Sequence, residues 1–309
     1  MDRKPLVSIV LPVYNGARLL GKSIESCLSQ TYPEIELIIV DDASTDNTFE
    51  VARSFQDPRV KVLHHPINKK LPAALNTGFA HSAGTYLTWT SDDNCYSLNA
   101  IEEMVTYLRA HPEIDFVFAN QHDVDEFGQV INETIPGPFE KLTEWCCGSG
   151  AFLYKRSVYE KLGGYDEKFP LAQDYDYWLR AYLNFNLGHL DCFLYDATMH
   201  PGQMTYRFST EMIGETLAVK RKNLGRSFRK NRLTLYKAHI QAASRLFFEK
   251  HQRSAAAAAL IWAILFNPRA LTHQPVVTLL AAISLGPSGY NFMKRAARRA
   301  YLTVNARQL

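Results

Sequence analysis

Apolar runs of four to seven residues alternate with amphipathic stretches through the first 120 positions of the chain. Residues 6–11 form a short apolar run ending at Pro12, which reads as a buried strand. Residues 35–40 form another, broken only by Glu36, as expected of a parallel strand covered on both faces. Strands are also predicted over 60–63, 85–89 and 114–119. Between them lie helical patterns. Leu20, Ile24, Cys27 and Leu28 share one face of a helix over 17–30. Residues 46–55, 71–81 and 98–109 read as helices, with Pro72 in a first turn and His111-Pro112 closing the last. Such strand–helix repetition predicts an α/β fold with a mostly parallel central sheet flanked by helices.

The rhythm breaks over 120–152, where Phe127-Gly128-Gln129 reads as a hairpin turn and Pro136-Gly137-Pro138 as loop. It resumes with a helix from 155 to a stop at Gly163-Gly164, a helix over 174–187 and a strand over 189–195. Beyond about residue 208 the pattern is helical throughout. The expected organisation is an α/β domain at 1–210, divided by the change of rhythm into 1–120 and 121–210, and a helical C-terminal subdomain at 211–309.

Composition adds little: 47% hydrophobic and 21% charged residues are ordinary for a globular protein. The net charge of +3 is too small to argue for a nucleic-acid partner. Much of the positive charge gathers at Lys220, Arg221, Lys222, Arg226, Arg229, Lys230 and Arg232, and again at Lys294, Arg295, Arg298 and Arg299. The five cysteines match no zinc or redox spacing and read as free thiols of a reducing cytoplasm. The opening residues do not resemble a signal peptide, and the apolar runs at 255–266 and 276–285 are too short to span a bilayer.

Two acidic pairs stand out, because ligands of open α/β sheets bind beyond the carboxyl ends of the strands. Asp41 and Asp42 follow the second strand directly; Asp92 and Asp93 follow the fourth by a few residues. Adjacent acids repel unless a cation is shared, and Mg²⁺ or Mn²⁺ with diphosphate oxygens suits the second pair. The first pair suits hydrogen bonds to a base or ribose; a turn with a helix cap explains it equally simply.

These segments resemble one family. Ser8-Ile9-Val10-Leu11-Pro12-Val13-Tyr14-Asn15, Val40-Asp41-Asp42-Ala43-Ser44-Thr45-Asp46 and Thr90-Ser91-Asp92-Asp93-Asn94 are similar to family 2 glycosyltransferases, whose fold is called GT-A. So are Leu71-Pro72-Ala73-Ala74-Leu75-Asn76, Gly148-Ser149-Gly150 and Leu162-Gly163-Gly164-Tyr165-Asp166. The resemblance implies that Pro12, Val13 and Tyr14 pack on the nucleotide base and that Asp42, with Asp41 beside it, reads uracil. It implies Asp93 as metal ligand, Asp92 as the acid facing donor ribose or sugar, and His200 as a further group at the metal or diphosphate. Asp174, in Gln173-Asp174-Tyr175-Asp176-Tyr177-Trp178, stands where the family has its catalytic base; the simpler reading is a helix cap. An inverting transfer needs such a carboxylate opposite the leaving diphosphate.

The chain departs from the common pattern at Thr90, Lys70, Gln173 and Thr198. It also lacks the Gln-x-x-Arg-Trp motif and transmembrane helices of processive synthases, which favours one sugar per encounter. The resemblance therefore implies an inverting, Mn²⁺- or Mg²⁺-dependent transferase. Its donor is a nucleotide-diphospho-sugar, preferably a UDP-sugar, and its acceptor a glycan or lipid-linked glycan of cell-surface polysaccharide synthesis. A degenerate, non-catalytic sugar-nucleotide or glycan-binding protein of the same fold is the alternative. A sugar-nucleotidyltransferase is disfavoured, because the loop after the first strand holds one glycine and one arginine. The C-terminal helices read either as packing on the catalytic domain or as a peripheral anchor at the inner face of the membrane.

Overall fold

The six strands that share one direction carry their carboxyl ends to a single edge of the sheet, and this edge positions everything that follows. The computed structural model describes residues 4–225, 228–268, 271 and 276–286. It divides into two compact units, Met1–Arg207 and Phe208–Leu309. Arg226, Lys294, Arg295, Arg298 and Arg299 of the predicted basic clusters lie outside the described residues.

In the first unit β1 (Val7–Val13), β2 (Ile35–Asp41), β3 (Val60–His64) and β4 (Tyr86–Trp89) are mutually parallel, in the order β3-β2-β1-β4. All seven residues of β1 are buried, which is why its sequence shows no polar alternation. The short β5 (Cys95–Tyr96) follows, then β6 (Phe116–Val124), β7 (Val130–Thr134), β8 (Phe152–Lys155) and β9 (Leu187–Thr198). β8 joins the two halves, running antiparallel between β4 and β6. β9 pairs parallel with β6 and antiparallel with β5. β6 and β7 form the hairpin expected at Phe127-Gly128-Gln129.

Helices cover both faces. α1 (Leu20–Leu28) buries Leu20, Ile24 and Cys27; α2 (Thr48–Ser54) and α3 (Leu71–Ala80) follow β2 and β3; α4 (Ala100–Ala110) buries Ile101, Met104, Val105 and Leu108. α3 lies close over β1 because Gly78 has no side chain: a Cβ there would sit 2.3 Å from a Val10 methyl. α5 (Arg156–Leu162) ends at Gly163, whose φ of 73° serves as the stop. α6 (Gln173–Asn184) buries Tyr177 and Trp178 among Phe116, Phe118, Phe152 and Tyr154.

α6 is anchored by a buried ion pair. Asp176 is fully buried and accepts from Arg180 Nε at 2.8 Å, while Arg180 also donates to the Leu162 and Gly164 carbonyls at 3.0 and 2.9 Å. Removing one partner of such a pair strands the other charge. Asp176→Ala is expected to cost about 3–5 kcal/mol in urea unfolding. A loss below 1 kcal/mol, on the order of an exposed pair, would contradict this role.

The second unit contains α8 (Ser209–Leu224), α9 (Phe228–Phe248) and α10 (Arg253–Phe266), after the one-turn α7 (Met204–Arg207) that ends the first. α9 and α10 pack through Leu235, Ala238, Ala242, Ala243, Leu246, Ala256, Ala259 and Ala263, all buried. No helix among the described residues is long and apolar enough to cross a membrane.

Candidate active site

The loops leaving β1 and β2 are stitched together. Backbone N–H groups of Asn15, Gly16 and Ala17 donate to Ser44 Oγ (2.9 Å), Thr48 Oγ1 (3.0 Å) and Asp46 Oδ2 (3.4 Å). Thr45 N–H returns a bond to Asn15 Oδ1 at 2.7 Å. Ser44, Thr45 and Asp46 thus hold the neighbouring loop as well as their own turn. The backbone is strained here: Asn15, Ala43 and Lys70 all have positive φ, at 54°, 62° and 75°. Pro12 and Val13 are buried at the end of β1, whereas Tyr14 is 49% exposed.

Asp41 and Asp42 are held differently from a simple cap. Asp41 is fully buried, accepting from Ser44 N–H at 3.2 Å and lying 2.7 Å from His64 Nδ1. Asp42 Oδ1 meets His65 Nδ1 at 2.7 Å and Lys69 N–H at 2.9 Å; its Oδ2 accepts from Lys70 N–H at 2.8 Å. His65 Nε2 in turn lies 2.9 Å from Thr77 Oγ1. The sequence reading missed both histidines. Only the β2–β3 register sets His64 opposite Asp41.

Lys70 bends the chain so that its N–H reaches Asp42. Its φ of 75° and ψ of 163° lie in a region that only glycine enters freely. Relief of about 1–3 kcal/mol of strain outweighs the roughly 0.5–1 kcal/mol of extra chain freedom that glycine brings. Lys70→Gly is therefore expected to raise the urea midpoint while keeping the Asp42 contact. An unchanged or lower midpoint would show that the loop is unstrained.

The second acidic pair is brought to the same edge by β5. Its pairing with β9 sets Cys95 opposite Asp196, and Asn94 Oδ1 accepts from Thr198 N–H at 2.8 Å. Two residues later His200 Nε2 lies 3.1 Å from Asp93 Oδ2. Asp93 Oδ1 is buried with no hydrogen-bond partner. Burial, and then the Asp93 charge, push the Asp92 carboxyl up to about 7. Asp92 fits against Gly16, where a Cβ would lie 1.8 Å from Asp92 Oδ2. Thr90 is fully buried, 2.8 Å from the Tyr195 hydroxyl. A neutral hydroxyl suits that place; an acid would be a further buried charge.

These features fit a divalent cation: an unsatisfied carboxylate oxygen, a neighbouring imidazole and acids that repel. Among the described residues no cluster of three ligating side chains forms, so donor oxygens or water must complete any such coordination.

Asp174 stands in the first turn of α6, with Oδ1 accepting from Tyr175 N–H at 2.6 Å. Burial pushes its carboxyl above the ordinary carboxylate range, against that hydrogen bond. Close glycine packing links α6 and β9 to the loop before β8. Trp178, one turn along the same helix face, packs so tightly on Gly148 that a Cβ there would come within 2.5 Å of its ring. A Cβ at Gly150 would likewise come within 2.4 Å of the ring of Tyr195, which bonds to Thr90. Asn76 on α3 fastens the outer wall, accepting from Tyr165 N–H (2.7 Å) and donating to Tyr165 carbonyl (2.9 Å).

The family model described as Glycosyl transferase family 2 matches residues 8–163. The chain belongs to this family. Its relatives include the putative glycosyltransferase EpsE of Bacillus subtilis, 34% identical over 59% of this chain and 68% of the relative. An uncharacterized glycosyltransferase of Rickettsia felis is 33% identical over 57% of this chain and 31% of its own length. The hyaluronan synthase of Pasteurella multocida matches over 65% of this chain and 21% of its own length at 28% identity, so the chain spans only part of some of its relatives. Among solved structures, S. aureus TarS 1-349 superposes with a TM-score of 0.68 over 96% of this chain and 92% of TarS 1-349, at 16% identity. The mannosyltransferase PcManGT of Pyrobaculum calidifontis, in complex with GDP-Man and Mn²⁺, gives 0.53 over 96% and 85%, at 21% identity. This family 2 glycosyltransferase has the GT-A fold shared with those structures. The family match contains both acidic pairs and ends before Asp174 and His200.

Proposed function

We propose that the chain moves one sugar from a nucleoside-diphosphate sugar, a UDP-sugar by preference, to a hydroxyl of a glycan or lipid-linked glycan, with inversion, in polysaccharide synthesis at the cytoplasmic face of the membrane. The observation that carries the reading is the partnerless, buried Asp93 oxygen beside His200 at the carboxyl edge of the sheet. Solved proteins of the same fold hold UDP, UDP-GlcNAc, and GDP-Man with Mn²⁺.

Pro12 and Val13 form the floor under the base, and the exposed Tyr14 ring covers it. Asp42 reads the base through the lone-pair capacity its three donors leave, and the buried Asp41 supports the loop. Asp93 and His200 hold the cation, Mn²⁺ or Mg²⁺, and Asp92 faces the donor ribose or sugar. Bound there, a divalent cation supplies positive charge against the departing diphosphate. Asp174 takes the proton of the acceptor hydroxyl as its oxygen bonds to the anomeric carbon. The bond from that carbon to the diphosphate breaks, and the nucleoside diphosphate leaves with the electron pair. The raised Asp174 carboxyl suits this work, because a stronger base accepts the proton more readily.

The test is a thermal-shift panel of UDP-, GDP- and dTDP-sugars with and without Mn²⁺, followed by an assay of slow donor hydrolysis. Stabilisation by one sugar nucleotide only with the cation, and its turnover, is the expected result. Binding without any turnover, even with acceptors supplied, would leave a sugar-nucleotide-binding protein instead.

A further inference from the structure

The charge of the chain is divided sharply. Of its 34 Lys and Arg and 31 Asp and Glu, residues 216–309 hold seventeen basic groups and a single acid, Glu249. That segment carries a formal +16, so residues 1–215 stand at −13. The second unit as a whole, 208–309, which adds Glu211 and Glu215, stands at +14.

The same unit turns apolar side chains outward. On α10, Ile261, Trp262 and Leu265 lie on one face and are 59%, 42% and 59% exposed, while Ala256, Ala259, Leu260 and Ala263 face α9. The helical stretch 276–286 repeats this, with Val277, Leu280 and Leu285 exposed at 49%, 39% and 53%. Arg253 binds the two together, donating to the Ile283 and Ser284 carbonyls. Arg221 lies over the Trp262 ring at 4.9 Å. On α9, Arg232, Lys237 and Arg245 are exposed.

We infer that the exposed apolar face of this basic unit docks on an anionic lipid surface, lying in the headgroup boundary without crossing the bilayer. Outward aliphatic side chains gain free energy by entering the acyl boundary, and a segment nearly devoid of acids is drawn to anionic headgroups. A nucleic acid would satisfy the charge and leave the Ile and Leu side chains wet, and a second copy packed on the same face would set two basic units against each other. The absence of a spanning helix among the described residues fits a surface association. None of these residues is among those assigned to sugar transfer, so the inference holds whichever donor the first unit uses.

Vesicle flotation of the full chain tests it, with vesicles of phosphatidylcholine alone and of equal parts phosphatidylcholine and phosphatidylglycerol. Binding to the mixed vesicles, at least about tenfold stronger than to the neutral ones and weakened by salt, is expected. The Ile261→Ser, Leu265→Ser double variant should lose about tenfold or more of that binding. Lys237→Glu with Arg245→Glu should lose about fivefold per residue. Circular dichroism and donor turnover in solution should stay at the parental level in both variants, which separates this result from failure of the transferase reading. Equal binding to neutral vesicles, no binding to either, or an undiminished serine variant would overturn the inference. So would capture by a random duplex oligonucleotide, or self-association abolished by the serine pair, with vesicles left unbound.

Discussion

Asp174→Asn is expected to lower sugar transfer by about 10²–10⁴-fold while nucleotide binding stays near the parental level. The amide keeps the size of the side chain and cannot accept the acceptor's proton. As the proposed base Asp174 works ionised, and desolvation raises its carboxyl above the ordinary carboxylate range. The rate of the parent should therefore fall on the acid side, with its inflection above that range; the Asn variant should lack the limb. Stability should move the other way. A folded-state pKa above the unfolded one favours the protonated form in the folded protein. The parent then loses stability as pH rises from the unfolded value through the folded one. The neutral variant does not, so its advantage in melting temperature should be nil in acid and largest above both values. Isothermal titration with UDP, pH–rate profiles and pH-dependent melting check the three statements. Normal turnover by Asp174→Asn would remove the base from this residue.

The second large effect is expected at Asp93. Asn in its place removes a charged oxygen ligand and leaves His200 without its carboxylate. Charge stabilisation by a bound cation is worth several kcal/mol, or roughly a hundred- to several-thousand-fold in rate. Donor turnover by Asp93→Asn should fall by that order and lose its response to Mn²⁺ and Mg²⁺. Titration of the parent with a chelator should reproduce the fall, and readdition of Mn²⁺ should reverse it. A variant still stimulated by Mn²⁺ would place the cation elsewhere.

The parallel half of the sheet was legible because β1 and β2 are apolar on both faces and bounded by Pro12 and the acidic pair. The strands missed were short or irregular. β5 has two residues, β7 is exposed and polar, and the four residues of β8 sit between a glycine-rich loop and a helix. β6 and β9 run past their predicted ends because polar residues such as Gln121, His122 and Asp196 still pair there without an apolar signal. The acids of the candidate site could be read from their place after strands and from the family resemblance. Their partners could not. His65 reaches Asp42 only through the β2–β3 crossover, and Asp93 meets His200 through a pairing of strands 100 residues apart in sequence. Local spacing carries no trace of either meeting.

That last pairing has a consequence for how the enzyme comes to be assembled. Strands β1 to β4 can combine as soon as the first hundred or so residues exist, but the Asp93–His200 couple must wait for β9. Closing so long a stretch of chain comes late on entropic grounds. On the proposed reading, cation affinity is thus a property of the finished first unit, and a nascent or clipped chain ending before β9 would carry the proposed base-reading loops without the Asp93–His200 couple.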